Sequence, residues 1–60
     1  MKFEATTDNG NRTVIIAKTI IGAKRQASDW QSAQDSVTLY YFNGSVIAVK
    51  PAWNQKWINF

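Results

Sequence analysis

Few side chains in this 60-residue sequence could carry out acid–base or nucleophilic chemistry. Histidine and cysteine are both absent, so a serine hydroxyl has no imidazole to activate it and no thiol is available as a nucleophile. The four carboxylates form no paired motif: Glu4, Asp8, Asp29 and Asp35. We therefore predict that the chain is not an enzyme and has no catalytic residues.

Sites for metals, phosphates or other cofactors have equally little support. Without cysteine or histidine, a zinc site built from the usual ligands is excluded. Residues 8–11 offer side-chain oxygens, but no glutamate follows them at the spacing of an EF-hand loop. Gly10, Gly22 and Gly44 are isolated along the chain, so none belongs to a glycine-rich phosphate loop. We predict neither a metal nor a cofactor.

Basic residues interleaved with aromatic ones indicate a different chemistry, the binding of nucleic acid. Seven lysines and arginines against four acids give a net charge of +3. Phosphates need cations, and unstacked bases need aromatic platforms such as Trp53 and Trp57. This alternative assigns the contacts to Lys18, Lys24, Arg25, Lys50 and Lys56. The opposing interpretation is that these cations form a solvated face and that the charge serves solubility.

The elements that must position these residues begin with a hairpin. Residues 2–7 alternate apolar and polar side chains and residues 12–18 are rich in β-branched ones, so both are predicted strands. Between them, Asn9-Gly10 predicts a two-residue turn in which both residues have positive φ. The strand pairs that follow from this turn share one side of the sheet: Ala5 with Val14, and Phe3 with Ile16.

A helix is predicted over residues 19–34. Thr19 is a suitable N-cap for it. The apolar residues that follow recur at helical spacing: Ile20, Ala23, Ala27 and Trp30. The two alanines are small enough to let the helix lie close to a sheet. Ile21 does not fit this apolar stripe.

The strand–turn–strand pattern returns after the helix. Residues 36–42 and 45–50 are predicted strands joined at Asn43-Gly44, and Pro51 ends the second because it has no amide hydrogen to donate. A two-residue turn sets four pairs: Tyr41 with Val46, Tyr40 with Ile47, Leu39 with Ala48, and Thr38 with Val49. The rest of the chain is an aromatic tail in which residues 56–60 either form a short fifth strand or fold back.

The predicted architecture is a single α+β domain over residues 1–60. It is a small antiparallel sheet of four to five strands with one helix on one face, in the order β-β-α-β-β plus the aromatic C-terminal tail. A helix of about 16 residues is roughly 24 Å long and covers only one face. The second hairpin is nevertheless apolar on its other face, through Tyr40, Phe42, Ile47 and Val49. The tail, a second copy in a symmetric dimer, or a different partner could cover it.

Such a face favours a small non-enzymatic binding module that acts by protein–protein contact. The partner-binding residues are predicted to be Tyr40, Phe42 and Ile47, with Trp53 or Trp57 beside them. No apolar run reaches the length of a membrane span and no signal peptide is evident, so the cytoplasm is the predicted compartment. Short chains of this type are typical of accessory proteins of phages and mobile elements, which often bind and inhibit a host enzyme.

Several positions loosely resemble the phage-type inhibitors of host RNA polymerase. The resemblance covers about half of the chain: Lys2-Phe3-x-Ala5-Thr6, Ala17-x-Thr19, Ala23, Ala27 and Trp30-Gln31. The match needs a gap in the hairpin, its last dipeptide is one position out of step, and that family is acidic where this chain is basic. The resemblance implies a protein partner, but no family is assigned from it.

Overall fold

The computed structural model describes residues 1–31 and 35–60. These residues form five strands and one helix: β1 (Lys2–Thr7), β2 (Arg12–Ile16), α1 (Ile20–Trp30), β3 (Val37–Tyr41), β4 (Val46–Lys50) and β5 (Ile58–Asn59). The strands make one antiparallel sheet in the order β2-β1-β3-β4-β5. The predicted fold class and element order are therefore confirmed. The predicted helix over residues 19–34 is too long, because it ends at Trp30 and Gln31 is extended; positions 32–34 lie outside the described residues.

The helix begins where the sequence predicts and covers one face of the sheet. The hydroxyl oxygen of Thr19 accepts a hydrogen bond at 3.0 Å from the amide three residues later, which confirms the predicted N-cap. Ala23 and Ala27 are fully buried, and Ile20 and Trp30 pack beside them. The core between helix and sheet consists of those two alanines and Phe3, Ala5, Ile15, Val37, Leu39, Ile47 and Ala48.

The turn between β1 and β2 contains three residues, 8–10, instead of the predicted two. The amide of Thr7 donates to the carbonyl of Asn11 at 2.8 Å, and the amide of Gly10 donates back to the carbonyl of Thr7 at 3.1 Å. Gly10 has a φ of +96°, but Asn9 does not have a positive φ. A two-residue turn of the primed type needs positive φ at both positions, so the turn is the three-residue kind that ends in a left-handed glycine.

The additional turn residue shifts the register of β1 and β2 by one position. Phe3 lies opposite Ile15, so the predicted pairing of Phe3 with Ile16 and of Ala5 with Val14 is wrong. A shift of one residue moves every side chain of a strand to the other face. Ile15 is therefore buried, at 4% exposure, whereas Val14 and Ile16 point away from the helix and Ile16 is 67% exposed.

The turn between β3 and β4 has the same three-residue form over residues 42–44. The amide of Tyr41 donates to the carbonyl of Ser45 at 2.8 Å, and the glycine that ends the turn has a φ of +95°. Tyr40 consequently lies opposite Val46. The predicted pairs that this turn contradicts are Tyr41 with Val46 and Tyr40 with Ile47.

A bulge in β4 then restores the predicted register. The pairing shifts between Leu39 and Tyr40, and Ile47 is the additional residue. Beyond the bulge, the predicted pairs are confirmed: Leu39 with Ala48, and Thr38 with Val49. Both Ile47 and Ala48 are buried in the core, Ile47 at 7% exposure. The prediction that Ile47 lies on the face away from the helix is therefore wrong.

The tail does not fold over that face. β5 instead lengthens the sheet, with Ile58 opposite Val49. Trp57 packs against the core from the side of the helix. Trp53 and Phe60 are exposed. Of the three covers that the sequence left open, the tail is thereby eliminated.

Candidate binding surfaces

The face of the sheet opposite α1, which we call the open face, carries apolar side chains from four of the five strands. Cross-strand pairing places them on the same side, because Val14 lies opposite Glu4, Glu4 opposite Tyr40, and Tyr40 opposite Val46. The apolar side chains of the open face are Val14, Ile16, Tyr40, Val46, Val49 and Ile58. Val14, Ile16, Val46 and Ile58 are 40–67% exposed, and Tyr40 and Val49 are half-buried.

The open face is large for a domain of this size. The four longer strands, spaced at about 4.8 Å and about five residues long at 3.4 Å each, give roughly 19 Å by 17 Å, or about 330 Å², and β5 adds two residues. This figure includes the polar side chains of β1, so the apolar area is smaller than the whole face. Apolar side chains exposed together on a sheet face are nevertheless typical of a contact surface.

Polar side chains of β1 run between the two apolar parts of the open face. Arg12 Nη2 donates to Glu4 Oε2 at 2.7 Å, and Lys2 Nζ lies 5.6 Å from the centroid of the Phe42 ring. The Arg12–Glu4 pair is largely solvated, so it contributes at most about 1 kcal/mol to stability. Two cations and one carboxylate leave the described part of this face slightly positive.

The structure separates the predicted partner-binding residues. Tyr40 is half-buried on the open face, and Phe42 is exposed in the turn at its rim. Ile47 is in the core because of the bulge. Trp53 is exposed in the segment between β4 and β5, and Trp57 lies beside the helix. The open face therefore brings together Tyr40 and Phe42 alone of the five.

Sequence analysis missed four side chains of the open face: Val14, Ile16, Val46 and Ile58. The first two were placed under the helix by the wrong register, and Val46 by the wrong turn. The alternative turn is a known outcome for loops that contain glycine. The glycine in each turn is therefore compatible with either register.

A second candidate surface, which we call the helix groove, lies between the outer side of α1 and the tail. It is a shallow, open depression with a volume of about 400 Å³. Helix residues one turn apart form one wall and the Trp57 indole forms the other. The residues that line it are Ile21, Lys24, Arg25, Ser28, Asp29 and Trp57.

Hydrogen bonds fix two of the cations around the helix groove. Lys24 Nζ lies 6.0 Å from the centroid of the Trp57 ring and donates to the side-chain oxygen of Asn59 in β5. Lys50 Nζ donates to the hydroxyl of Ser28 at 3.0 Å. These bonds connect α1 to β4 and β5, so the groove has a defined shape and an excess of positive charge.

The structure collects most of the cations that were predicted to contact nucleic acid. Lys24 and Arg25 line the helix groove, and Lys50 reaches it through its bond to a lining serine. Lys56 is exposed and adjacent in sequence to the indole of the groove. Lys18 is exposed just before the helix N-cap and does not line the groove.

The described residues contain neither a metal-binding cluster nor a membrane-spanning helix. In residues 1–31 and 35–60, no three histidine, cysteine or acidic side chains come together as a metal site would require. Over the same ranges, no helix has the length and apolar character needed to cross a bilayer. Comparison with protein-family models, with curated proteins and with solved structures gives no match to this chain. The two surfaces are therefore interpreted from their own geometry.

Proposed function

We propose that the chain is a small non-enzymatic binding module that acts by protein–protein contact through the open face. The observation that supports this most directly is the exposure of β-branched side chains on the two strands that flank β1 and β3. These side chains are Val14 and Ile16 on β2 and Val46 on β4. An origin in a phage or a mobile element belongs to the same proposal. Its support is the loose resemblance described above.

These exposed side chains are not needed to complete the core. A sheet that is covered on one side and faces water on the other normally carries polar residues on its free face. The accessible surface is 4030 Å², close to the roughly 3,950 Å² expected for a compact monomer of 6.8 kDa. Because the fold is already compact, the apolar surface left over is available for a partner.

The charges favour an acidic protein as that partner. The chain carries +3 overall, and Lys2 and Arg12 outnumber Glu4 on the open face. Two copies of this chain would bring like charges together, whereas an apolar surface bordered by carboxylates complements them. The area of the open face is below the roughly 800 Å² that each partner buries in a standard interface. The contact is therefore expected to be transient.

Two isoleucines of equal exposure supply a matched pair of variants. Ile16 on the open face is 67% exposed, and Ile21 on the helix is 68% exposed. Ile16→Glu places a carboxylate opposite Lys2, a favourable cross-strand pair. Ile21→Glu places one in the first turn of α1, where negative charge is also favourable. Both variants are therefore expected to fold.

The test uses a photo-crosslinking residue at Val14, with the same residue at Ile21 as the control, in cells that contain the partner. We expect a protein to be trapped at Val14 and not at Ile21. Once purified, that protein should bind the Ile16→Glu variant at least about tenfold more weakly than wild type, since an apolar side chain of this size contributes about 1.5–3 kcal/mol when covered. It should bind the Ile21→Glu variant with unchanged affinity.

Two results would contradict the proposal. Equal loss of affinity in both variants would show that the open face is not the contact. A dimer in sedimentation equilibrium that Ile16→Glu dissociates would assign the face to a second copy of the chain instead of a foreign protein.

A further inference from the structure

We propose that the helix groove is a second binding site, which binds one nucleotide of a single-stranded nucleic acid. The base would lie against Trp57 and Ile21, and the phosphate at Lys24 and Arg25. This site is on the other side of the molecule from the open face and does not depend on the function proposed for that face.

The indole of Trp57 forms the aromatic wall of the groove. The ring packs against the core, which holds it in place, and it borders the groove. Lys24 Nζ lies 6.0 Å from the ring centroid, so a base that stacks on the indole displaces that cation towards the phosphate. A partly buried tryptophan beside Ile21, which is exposed, forms an apolar slot with a flat aromatic wall. Aromatic side chains of this kind are the platforms on which single-strand binders stack bases, without preference for sequence.

Two cationic side chains lie beside that slot. Lys24 is held near the indole by Asn59, and Arg25 follows it on the helix. Their cations belong to the first half of α1, whose first turn contains no acidic residue. The partial positive charge of the helix N-terminus is confined to that first turn, so the positive charge at this position comes from the two side chains themselves. An anionic ligand is attracted to this end of the groove.

One of the described residues that line the groove is acidic. Asp29 lines the groove four residues after Arg25, one turn further along the helix. A phosphate is repelled from that end and attracted to the other. Lys50 Nζ, bonded to Ser28, offsets part of that repulsion. The phosphate is therefore assigned to Lys24 and Arg25 on the positions of these cations, and the base to Trp57 and Ile21.

The groove has the size of a small-ligand site and an open shape. Its volume of about 400 Å³ lies within the roughly 300–1,000 Å³ of small-ligand sites. It is open along one side, so a polymer can pass through it. An acidic peptide shares the negative charge but lacks a planar group on every residue for the indole to stack on, so nucleic acid fits the groove better.

The test is a fluorescence-anisotropy titration of the full chain with a labelled ten-nucleotide oligothymidylate. We expect binding at 50 mM salt that weakens roughly tenfold at 200 mM, as two or three phosphate contacts predict. A ten-base-pair duplex should bind more weakly than the single strand, because its bases are not free to stack. Deca-glutamate serves as the acidic-peptide probe and should bind more weakly still.

Matched variants locate the site. Arg25→Gln should weaken binding about three- to tenfold and lower the salt dependence by about one phosphate contact. Arg12→Gln removes the same charge from the open face and should change affinity less than twofold. Ile21→Glu and Trp57→Leu should each weaken binding about tenfold. Ile16→Glu should leave it unchanged, so failure of this proposal is distinguishable from failure of the open-face proposal.

Several outcomes would overturn the inference. These are absence of binding at 50 mM salt, equal loss in Arg12→Gln and Arg25→Gln, and tighter binding of deca-glutamate than of the oligonucleotide. Trp57→Leu also removes a core contact, so its fold is checked by circular dichroism. The comparison of the two arginine variants tests the site independently of that check.

Discussion

Replacing Ile15 by alanine is expected to lower the free energy of unfolding by about 2–5 kcal/mol, because its buried methyl groups leave a cavity beside Phe3. The neighbouring change Ile16→Ala is expected to alter it by no more than about 0.5 kcal/mol, because that side chain is mostly in water. Urea unfolding followed by tryptophan fluorescence measures both. A domain of this size is stable by only about 3–5 kcal/mol, so loss of a cooperative transition in Ile15→Ala would represent the upper end of the effect.

This pair of variants reports the register of the first hairpin directly. With the two-residue turn, Ile16 would be buried opposite Phe3 and the order of the two effects would be reversed. That result would also turn Val14 and Ile16 towards the helix and remove them from the open face. The proposed protein contact would then lose two of its six apolar side chains.

The type and order of the elements follow from local sequence patterns. Alternation in residues 2–7 and the β-branched residues after the first turn specify strands, and Thr19 with the spaced alanines specifies a helix. Each of these signals lies within a few residues of the element it predicts. Local signals therefore sufficed for the fold class.

The register could not be obtained in the same way. Val14, Ile15 and Ile16 are three consecutive apolar β-branched residues, so either face of β2 can be buried with an isoleucine under the helix. The choice depends on the turn, where the side-chain oxygen of Asn9 accepts hydrogen bonds from the Thr7 hydroxyl and the Asn11 amide. Asn-Gly is compatible with both turn types, so composition alone does not decide.

The helix groove was predictable only in part. Its cations were evident from the sequence, but Lys24 and Asn59 are 35 positions apart and meet only because β5 joins the edge of the sheet. The same strand places Ile58 on the open face. Two residues of β5 thus contribute to both candidate surfaces, one on each side of the sheet.

The second large effect is expected at the bulge in β4. Ile47→Asp should prevent folding, because a carboxylate in the core without a partner costs more than the few kcal/mol by which such a domain is stable. Val46→Asp should stay folded, since Val46 is 40% exposed and directs its side chain to the open face. Circular dichroism and amide-resolved NMR spectra distinguish a folded from an unfolded variant.

Ile47→Val is the control for Ile47→Asp. It tests whether loss of folding is caused by a charge at a buried position or by any change of residue there. It should fold and lose about 0.5–1.5 kcal/mol of stability, the usual result of removing one buried methylene. If Ile47→Asp folded while Val46→Asp did not, β4 would run without a bulge and Ile47 would lie beside Tyr40 on the open face. The partner surface would then be the one that a two-residue turn predicts. The bulge therefore decides which of two adjacent apolar residues completes the core and which remains available to a partner.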